Sequence, residues 1–241
     1  MDDHSIIIQK ARDNYSSGAP WPEDDAWHTE TFSKIQRIVT KTLKRFCTSA
    51  TIILNAGSGG TTYDTEGHFI HLDLVDTYIK AFDDYIVASI EDIPLANNSV
   101  DFIICVGSVL NYTDYHKSLN EFSRILRPGG KIILEFERSN SGEFLFTKKH
   151  NKEIIAQKYH YNNQEHLLWL YNEHSIIAAM KYCGFKIKKR ERFHVFSTLL
   201  NRLGLAEKKA AKWIKQDWLL FPFSYFLAHN CILFAEKTPN K

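Results

Sequence analysis

The sequence predicts an α/β fold built on a parallel, doubly wound sheet, and three observations carry that prediction. From residue 51 onward, short β-branched or apolar runs alternate with stretches of helical spacing. The run at 101–106 (DFIICV) is nearly all apolar, as a strand covered on both faces must be. The first run ends in a glycine-rich turn. Strands separated by helical connections pair in parallel, so the alternation points to a sheet with helices on both faces.

The elements follow in chain order. Residues 13–25 are turn-rich and carry Tyr15 and Trp21, while 27–46 places Phe32, Ile35, Ile38, Val39, Leu43 and Phe46 at helical spacing. A strand at 51–54 ends in Asn55-Ala56-Gly57-Ser58-Gly59-Gly60, and further strands are expected at 69–74, 85–90 and 101–106. Residues 119–126 read as a helix stopped by Arg127-Pro128-Gly129-Gly130, with the next strand at 131–136. Asn172 fits the N-cap of a helix that runs to about Cys183, and Gly184 stands at its stop position. Strands at 185–195 and 230–236 close the pattern. Lys186, Lys188, Lys189, Arg190 and Arg192 mark the former as an exposed edge strand guarded by charge.

Two stretches exceed what the sheet needs, 139–170 and the helix-patterned 199–225. Ligands of doubly wound sheets bind beyond the carboxyl ends of the strands. The 139–170 insertion leaves from that end, where it can cover a substrate. The expected organisation is an N-terminal helical lid segment, 1–50, and a domain at 51–241 that carries both insertions.

Composition narrows the class. Of 241 residues, 44% are hydrophobic and 24% charged, which is globular rather than disordered. A net charge of +2 gives no basis for bulk binding to nucleic acid. The opening MDDHSIIIQK is acidic where a secretory signal is basic. Cys47, Cys105, Cys183 and Cys231 lie far apart with no CxxC or Cys/His cluster, so no metal site is expected and a reducing, cytoplasmic setting fits. The most apolar stretch, 218–228, is too short to span a bilayer.

The candidate chemistry starts at the glycine turn. Gly57 permits a tight turn out of the first strand, and Gly59 lets backbone amides and a helix N-terminus approach a ligand. Asp73, at the end of the second strand, can accept two hydrogen bonds from a ribose diol. Its distance from the turn is close to the interval of about 20 residues expected within one nucleotide-binding unit.

Three motifs in order then resemble the class I S-adenosylmethionine (SAM)-dependent methyltransferases. Leu54-Asn55-Ala56-Gly57-Ser58-Gly59-Gly60-Thr61 looks like their glycine motif. The segment 89–102 (SIEDIPLANNSVDF) resembles the join between their third and fourth strands, and Leu126-Arg127-Pro128-Gly129-Gly130-Lys131 their turn before the fifth. The nearest type is the methyltransferase type 11 and quinone-biosynthesis group. The resemblance implies a Rossmann-like, seven-stranded, mostly parallel sheet whose last strand is antiparallel. It implies SAM as cofactor, bordered by Asn55, Gly57 and Gly59 at the methionine, Asp73 at the ribose, Ser89 and Ile90 at the adenine, and Val106 near the methyl group. Asn55 stands where the family usually has an acid, Thr61 where it has a third glycine, and Ser89 where many members have Asp.

The reaction so implied is methyl transfer to a small molecule or biosynthetic intermediate. Tyr112, after the fourth strand beside Asn111, and His160, in the 139–170 insertion, are the candidate catalytic residues. Tyr112 can equally be a capping loop residue, and His160, like His194, a surface one. Tyr15, Trp21 and Trp27 can form a lid whose rings attract a sulfonium by cation–π contact, or can simply pack an N-terminal helix. Lys208, Lys209, Lys212 and Lys215 beside Trp213 read as an interfacial membrane element or as a solvated basic face. Self-association through 199–225 stays open. So do two other functions: a non-catalytic methyltransferase-like protein that binds a ligand or partner, and an NAD-dependent Rossmann oxidoreductase.

Overall fold

The computed structural model describes residues 3–16, 26–161, 164–220 and 225–239. Two N-terminal helices, α1 (Asp3–Ser16) and α2 (Ala26–Phe46), precede the sheet. Its strands are β1 (Ile52–Ala56), β2 (His68–Asp73), β3 (Tyr85–Val87), β4 (Val100–Cys105) and β5 (Leu126–Glu137). A separate hairpin, β6 (Ile154–Tyr161) with β7 (Gln164–Tyr171), precedes the two closing strands, β8 (Phe185–Phe193) and β9 (Asn230–Lys237). The sheet order is β3-β2-β1-β4-β5-β9-β8. All pairs from β3 to β5 are parallel, and β9 runs antiparallel to both β5 and β8. The seven-stranded, mostly parallel sheet with an antiparallel last strand is therefore present.

Both faces are covered. Toward one side, Leu119, Phe122 and Ile125 of α3 (Tyr115–Ile125) and Ile176 and Met180 of α4 (Glu173–Tyr182) pack with Ile103, Leu134 and Leu233. Toward the other, Ile35, Val39 and Leu43 of α2 pack on Ile53, Phe102, Ile104 and Ile133. Of the stripe anticipated along 27–46, α2 buries Ile35, Val39 and Leu43, whereas Phe32 and Phe46 stay exposed. A Leu43→Ala change here would cost about 2–5 kcal/mol in lost transfer and cavity energy.

The helix ends follow the expected chemistry. Asp114 caps α3, its side chain accepting from the amides of His116 and Lys117. Asn172 caps α4 by accepting from the His174 amide, and Gly184 follows with φ +83°. Arg138, buried at the end of β5, pairs with the buried Glu173 at 2.8 Å. Arg190 and Arg192 of β8 bind the same carboxylate at 2.9 and 2.7 Å. β8 does form the sheet edge, but these two arginines lock α4 against it instead of simply facing water.

Three expectations need correction. No helix follows the glycine turn, because residues 57–67 form a loop that leads directly into β2. Eleven residues without apolar spacing cannot make a crossover helix, so no helix dipole serves this turn. β3 ends at Val87, short of residue 90. The Arg127-Pro128-Gly129-Gly130 turn is a bulge within β5: Val100 pairs with Leu126, and Phe102 pairs with Lys131. The 139–170 stretch, read only as an insertion, holds the hairpin. The other insertion is helical as expected, with α5 (Phe196–Arg202), α6 (Glu207–Ala210) and a tighter helix over Ala211–Leu220. Among the described residues, no helix is long and apolar enough to cross a membrane.

Candidate active site

A cavity of about 1270 Å³ opens beyond the carboxyl ends of β1, β2, β4 and β5. Asn55, Gly57, Gly59, Asp73, Ser89, Ile90, Val106 and Tyr112 all line it. Over these, Ile8, Ala11 and Tyr15 of α1, Trp27, Phe32 and Ile35 of α2, and Gln157, Tyr159 and Leu168 of the hairpin complete the wall. Trp21 lies outside the described residues. So does the side chain of His160, whose backbone pairs with Glu165 at the end of β6.

The glycine loop is shaped by sterics and by a buried polar net. Gly57 has φ +70°, and a side chain there would collide with Val109. Gly59 has φ +50° with open space beside it. Asn55, 2% exposed, donates from Nδ2 to Thr61 O at 2.9 Å and to Ser58 Oγ at 3.2 Å. Ser58 Oγ contacts His71 Nδ1 at 2.7 Å, and His71 stacks on Phe82 at 3.7 Å. Asn55 thus ties the loop closed, which an acidic side chain at this position could not do.

Asp73 stands at the tip of β2. Its Oδ2 accepts from the Gly59 amide at 2.8 Å, and the Val75 amide lies at a long 3.4 Å from Oδ1. Burial pushes this carboxyl above its ordinary value, and the amides of Gly59, Val75 and Leu74 oppose the shift. Ser89 Oγ accepts from the Glu91 amide at 3.2 Å, and Ile90 is buried.

The opposite end of the cavity holds groups that the sequence reading missed. The period of two along β5 puts Ile133, Glu135 and Glu137 on the α2 face. Glu135, fully buried, accepts from the amides of Gly107 and Ser108 at 2.9 and 2.7 Å and from Asn230 Nδ2 at 2.7 Å. These bonds hold Ser108 in a left-handed conformation, φ 59°, unusual for a residue with a side chain. Burial lifts the Glu135 carboxyl to about 7 against those hydrogen bonds.

Glu137 Oε1 accepts from Ser108 Oγ at 2.8 Å, and its Oε2 lies 3.2 Å from His229 Nε2. The other imidazole nitrogen, Nδ1, lies 3.2 Å from Glu143 Oε2, an ion contact whose angle falls short of a hydrogen bond. Burial by itself would lower the His229 pKa, but the two carboxylates outweigh it and lift it to about 10. Glu137, in turn, is held below its ordinary value: burial raises it, and His229 and Ser108 more than compensate. The only local sign of this cluster is a pair of carboxylates two apart at the end of the otherwise apolar run 132–137.

The other candidates separate. Tyr112 is nearly buried, with Tyr15 Oη at 3.3 Å and His166 Nδ1 at 3.5 Å from its hydroxyl. Burial lowers His166 to about 4, so this imidazole is neutral near pH 7. Asn111 donates to Trp169 O at 2.6 Å and accepts from the Glu137 amide at 2.9 Å, which pins the hairpin to β5. His194 is not at the surface. It is buried, stacks on Trp27 at 4.0 Å and contacts Thr31 Oγ1 and Ser197 Oγ, each at 2.6 Å.

A parallel sheet in this order, with a glycine loop and a carboxylate at the first two strand ends, defines a nucleotide-type α/β domain. Residues 54–134 match the family model described as a methyltransferase domain. An uncharacterized protein of Methanocaldococcus jannaschii is 35% identical over 89 residues, 34% of this chain and 39% of that one. A ubiquinone/menaquinone biosynthesis C-methyltransferase of Rickettsia prowazekii is 37% identical over 59 residues, 24% of each chain. The chain thus spans under two fifths of the length of these curated relatives. A solved Burkholderia thailandensis 1,6-didemethyltoxoflavin-N1-methyltransferase, with its substrate and S-adenosylhomocysteine bound, shares the fold. The TM-score is 0.59 at 14% identity, covering 99% of this chain and 92% of that one. Over residues 54–134 the chain is thus similar to SAM-dependent methyltransferases, and its whole length shares their fold.

Proposed function

We propose that this chain binds SAM and transfers its methyl group to a small molecule, in a reducing, cytoplasmic setting consistent with four free cysteines. The observation that carries the reading is a single cavity. It gathers the glycine loop, Asp73 and the Ser89–Ile90 pair at one end, and Glu137 and Glu143 at the other. The residues fit the cofactor. Asp73 has an oxygen with room to accept from a ribose diol, Gly59 leaves open space beside the loop, and Ile90 offers an apolar wall for adenine. When bound, the sulfonium supplies an electrophilic methyl group. The protein's part is then to align the acceptor and exclude water. Helices α1 and α2 and the hairpin serve as the cover, and Tyr112, at the β4 exit, faces the acceptor. Trp27 and Tyr15 suit a cationic sulfonium through their ring faces. The bound molecule in the Burkholderia neighbour supports a small acceptor.

Calorimetric titration tests this. SAM and S-adenosylhomocysteine should bind and NADH should not. Asp73→Ala should weaken both SAM compounds about 10- to 150-fold, the loss of charge-assisted hydrogen bonds worth about 1.5–3 kcal/mol. Binding of NADH alone would sink the reading in favour of an oxidoreductase.

A further inference from the structure

The acceptor end of the cavity has a lopsided chemistry that methyl transfer in general does not require. Glu137, Glu143, His229 and Asn230 line the wall together where β5 ends and β9 begins. Two carboxylates flank one imidazole, so with all three charged the row carries one net negative charge. Its donors are already used inside the wall, because Ser108 Oγ and His229 Nε2 both serve Glu137. Asn230 gives its amide hydrogen to Glu135, and its carboxamide oxygen, on a side chain 2% exposed, has no hydrogen-bond partner among the described residues. A buried acceptor left unpaired forfeits its hydration without compensation. Such a group in a native cavity calls for a reason, and a ligand that completes it is one.

We infer that the acceptor substrate is an amine, held as its ammonium between Asn230 Oδ1 and the Glu143 carboxylate. This rests on the reading of the cavity as a methyl-transfer site. An ammonium brings several donors at once and a positive charge that balances the net negative charge of this row. An alcohol or phenol brings one donor and leaves an acceptor unpaired, and a carboxylate meets like charge. Glu143 is the natural proton acceptor, since its side chain is 35% exposed while Glu137 is clamped by Ser108 and His229. The ammonium gives one proton to Glu143, which passes it to solvent. The nitrogen lone pair so freed forms the new N–C bond, and the pair of the broken C–S bond stays on sulfur. The product leaves as the methylated ammonium.

The test titrates benzylamine, benzyl alcohol and benzoate, which share a ring and differ in head group, into free protein and into protein saturated with S-adenosylhomocysteine. Benzylamine should bind at least about ten-fold tighter than the alcohol, with benzoate weakest. Glu143→Gln, at the rim and nearly isosteric, should remove most of that preference while S-adenosylhomocysteine affinity stays within about two-fold. Equal affinity for the three probes, a preference for alcohol or benzoate, or an amine preference that survives Glu143→Gln overturns the assignment. Failure of S-adenosylhomocysteine to bind overturns the cofactor reading instead. The head-group order on the free protein still decides the amine.

Discussion

Asn55, Ser58, Gly59 and Asp73, which shape one end of the cavity, come from one short stretch of chain. Glu135, Glu137, His229 and Asn230, which shape the other, are brought together only by the antiparallel pairing of β5 with β9. The Glu137–His229 contact joins residues 92 apart, and Glu135–Asn230 joins residues 95 apart. The first end is held by backbone amides and small side chains, the second by a buried charge cluster. A site made of local turns depends on its own loop. A site made of distant carboxylates depends on the whole sheet, so lesions there should cost stability as well as binding.

The largest expected effect lies in the second region. Glu135→Ala removes the acceptor of the part-buried Gly107 and Ser108 amides and of the buried Asn230, leaving three donors without it. Stability should fall by about 3–5 kcal/mol, read from the urea midpoint at constant slope. A loss under about 1 kcal/mol would mean that the β5 end is no more integral than a surface loop.

The next effect is a pH dependence. His229 is raised to about 10 in the fold, above its ordinary 6.5. A group so raised contributes stability that is whole below pH 6.5 and is lost as pH climbs toward 10. Glu135, raised to about 7, has completed its own ionisation by the lower part of this window. Between pH 7 and 10, the wild type should lose on the order of 3 kcal/mol more than His229→Gln. Parallel pH curves for the two proteins would show that the imidazole is not held between carboxylates.

The same contrast explains what was legible in the sequence. The glycine loop, Asp73 and the apolar β4 were readable because each is a local pattern: a turn composition, a strand end, a run with no polar residue. The helix expected after Gly59 was wrong because the glycine motif usually opens one. Here β2 begins at His68, too soon for a helix to fit. The hairpin of residues 154–171 was hidden in a stretch whose strands pair with each other and not with the sheet. The Glu137–His229 contact had no local signal, since no spacing rule connects β5 to β9 before the topology is known. Asn55 is the instructive intermediate. Its departure from the family's acidic residue was visible, but its hydrogen bonds to Thr61 and Ser58 were not.

That position offers a sharper test of the first region. Restoring the family acid by Asn55→Asp removes the donor to Thr61 O and places a carboxylate at a site only 2% exposed. If the loop is a self-contained polar net, the change should cost about 1–2 kcal/mol and should not tighten SAM binding. A gain in SAM affinity without loss of stability would show that Asn55 is a simple degeneration of a ligand position.

The smallest effect is expected at Tyr112, where the two regions meet. Its hydroxyl lies between Tyr15 and the neutral His166, while its ring forms part of the cavity wall. Tyr112→Phe keeps the ring and removes the hydroxyl, so packing and SAM affinity should be unchanged, the latter within about two-fold. The lost contacts are long, and His166 is held near pKa 4 by burial, so it gains no charge when the hydroxyl goes. Stability should therefore drop by no more than about 0.5–1.5 kcal/mol, the worth of one modest hydrogen bond. If Tyr112 only shapes the acceptor end, turnover of an amine should fall by less than about ten-fold, through KM and not kcat, because uniform binding is what is lost. A fall in kcat at unchanged KM would instead make the hydroxyl part of the chemistry. Proton removal would then run from Tyr112 toward His166, away from Glu143, and the second region would extend across the cavity to α1 and the hairpin.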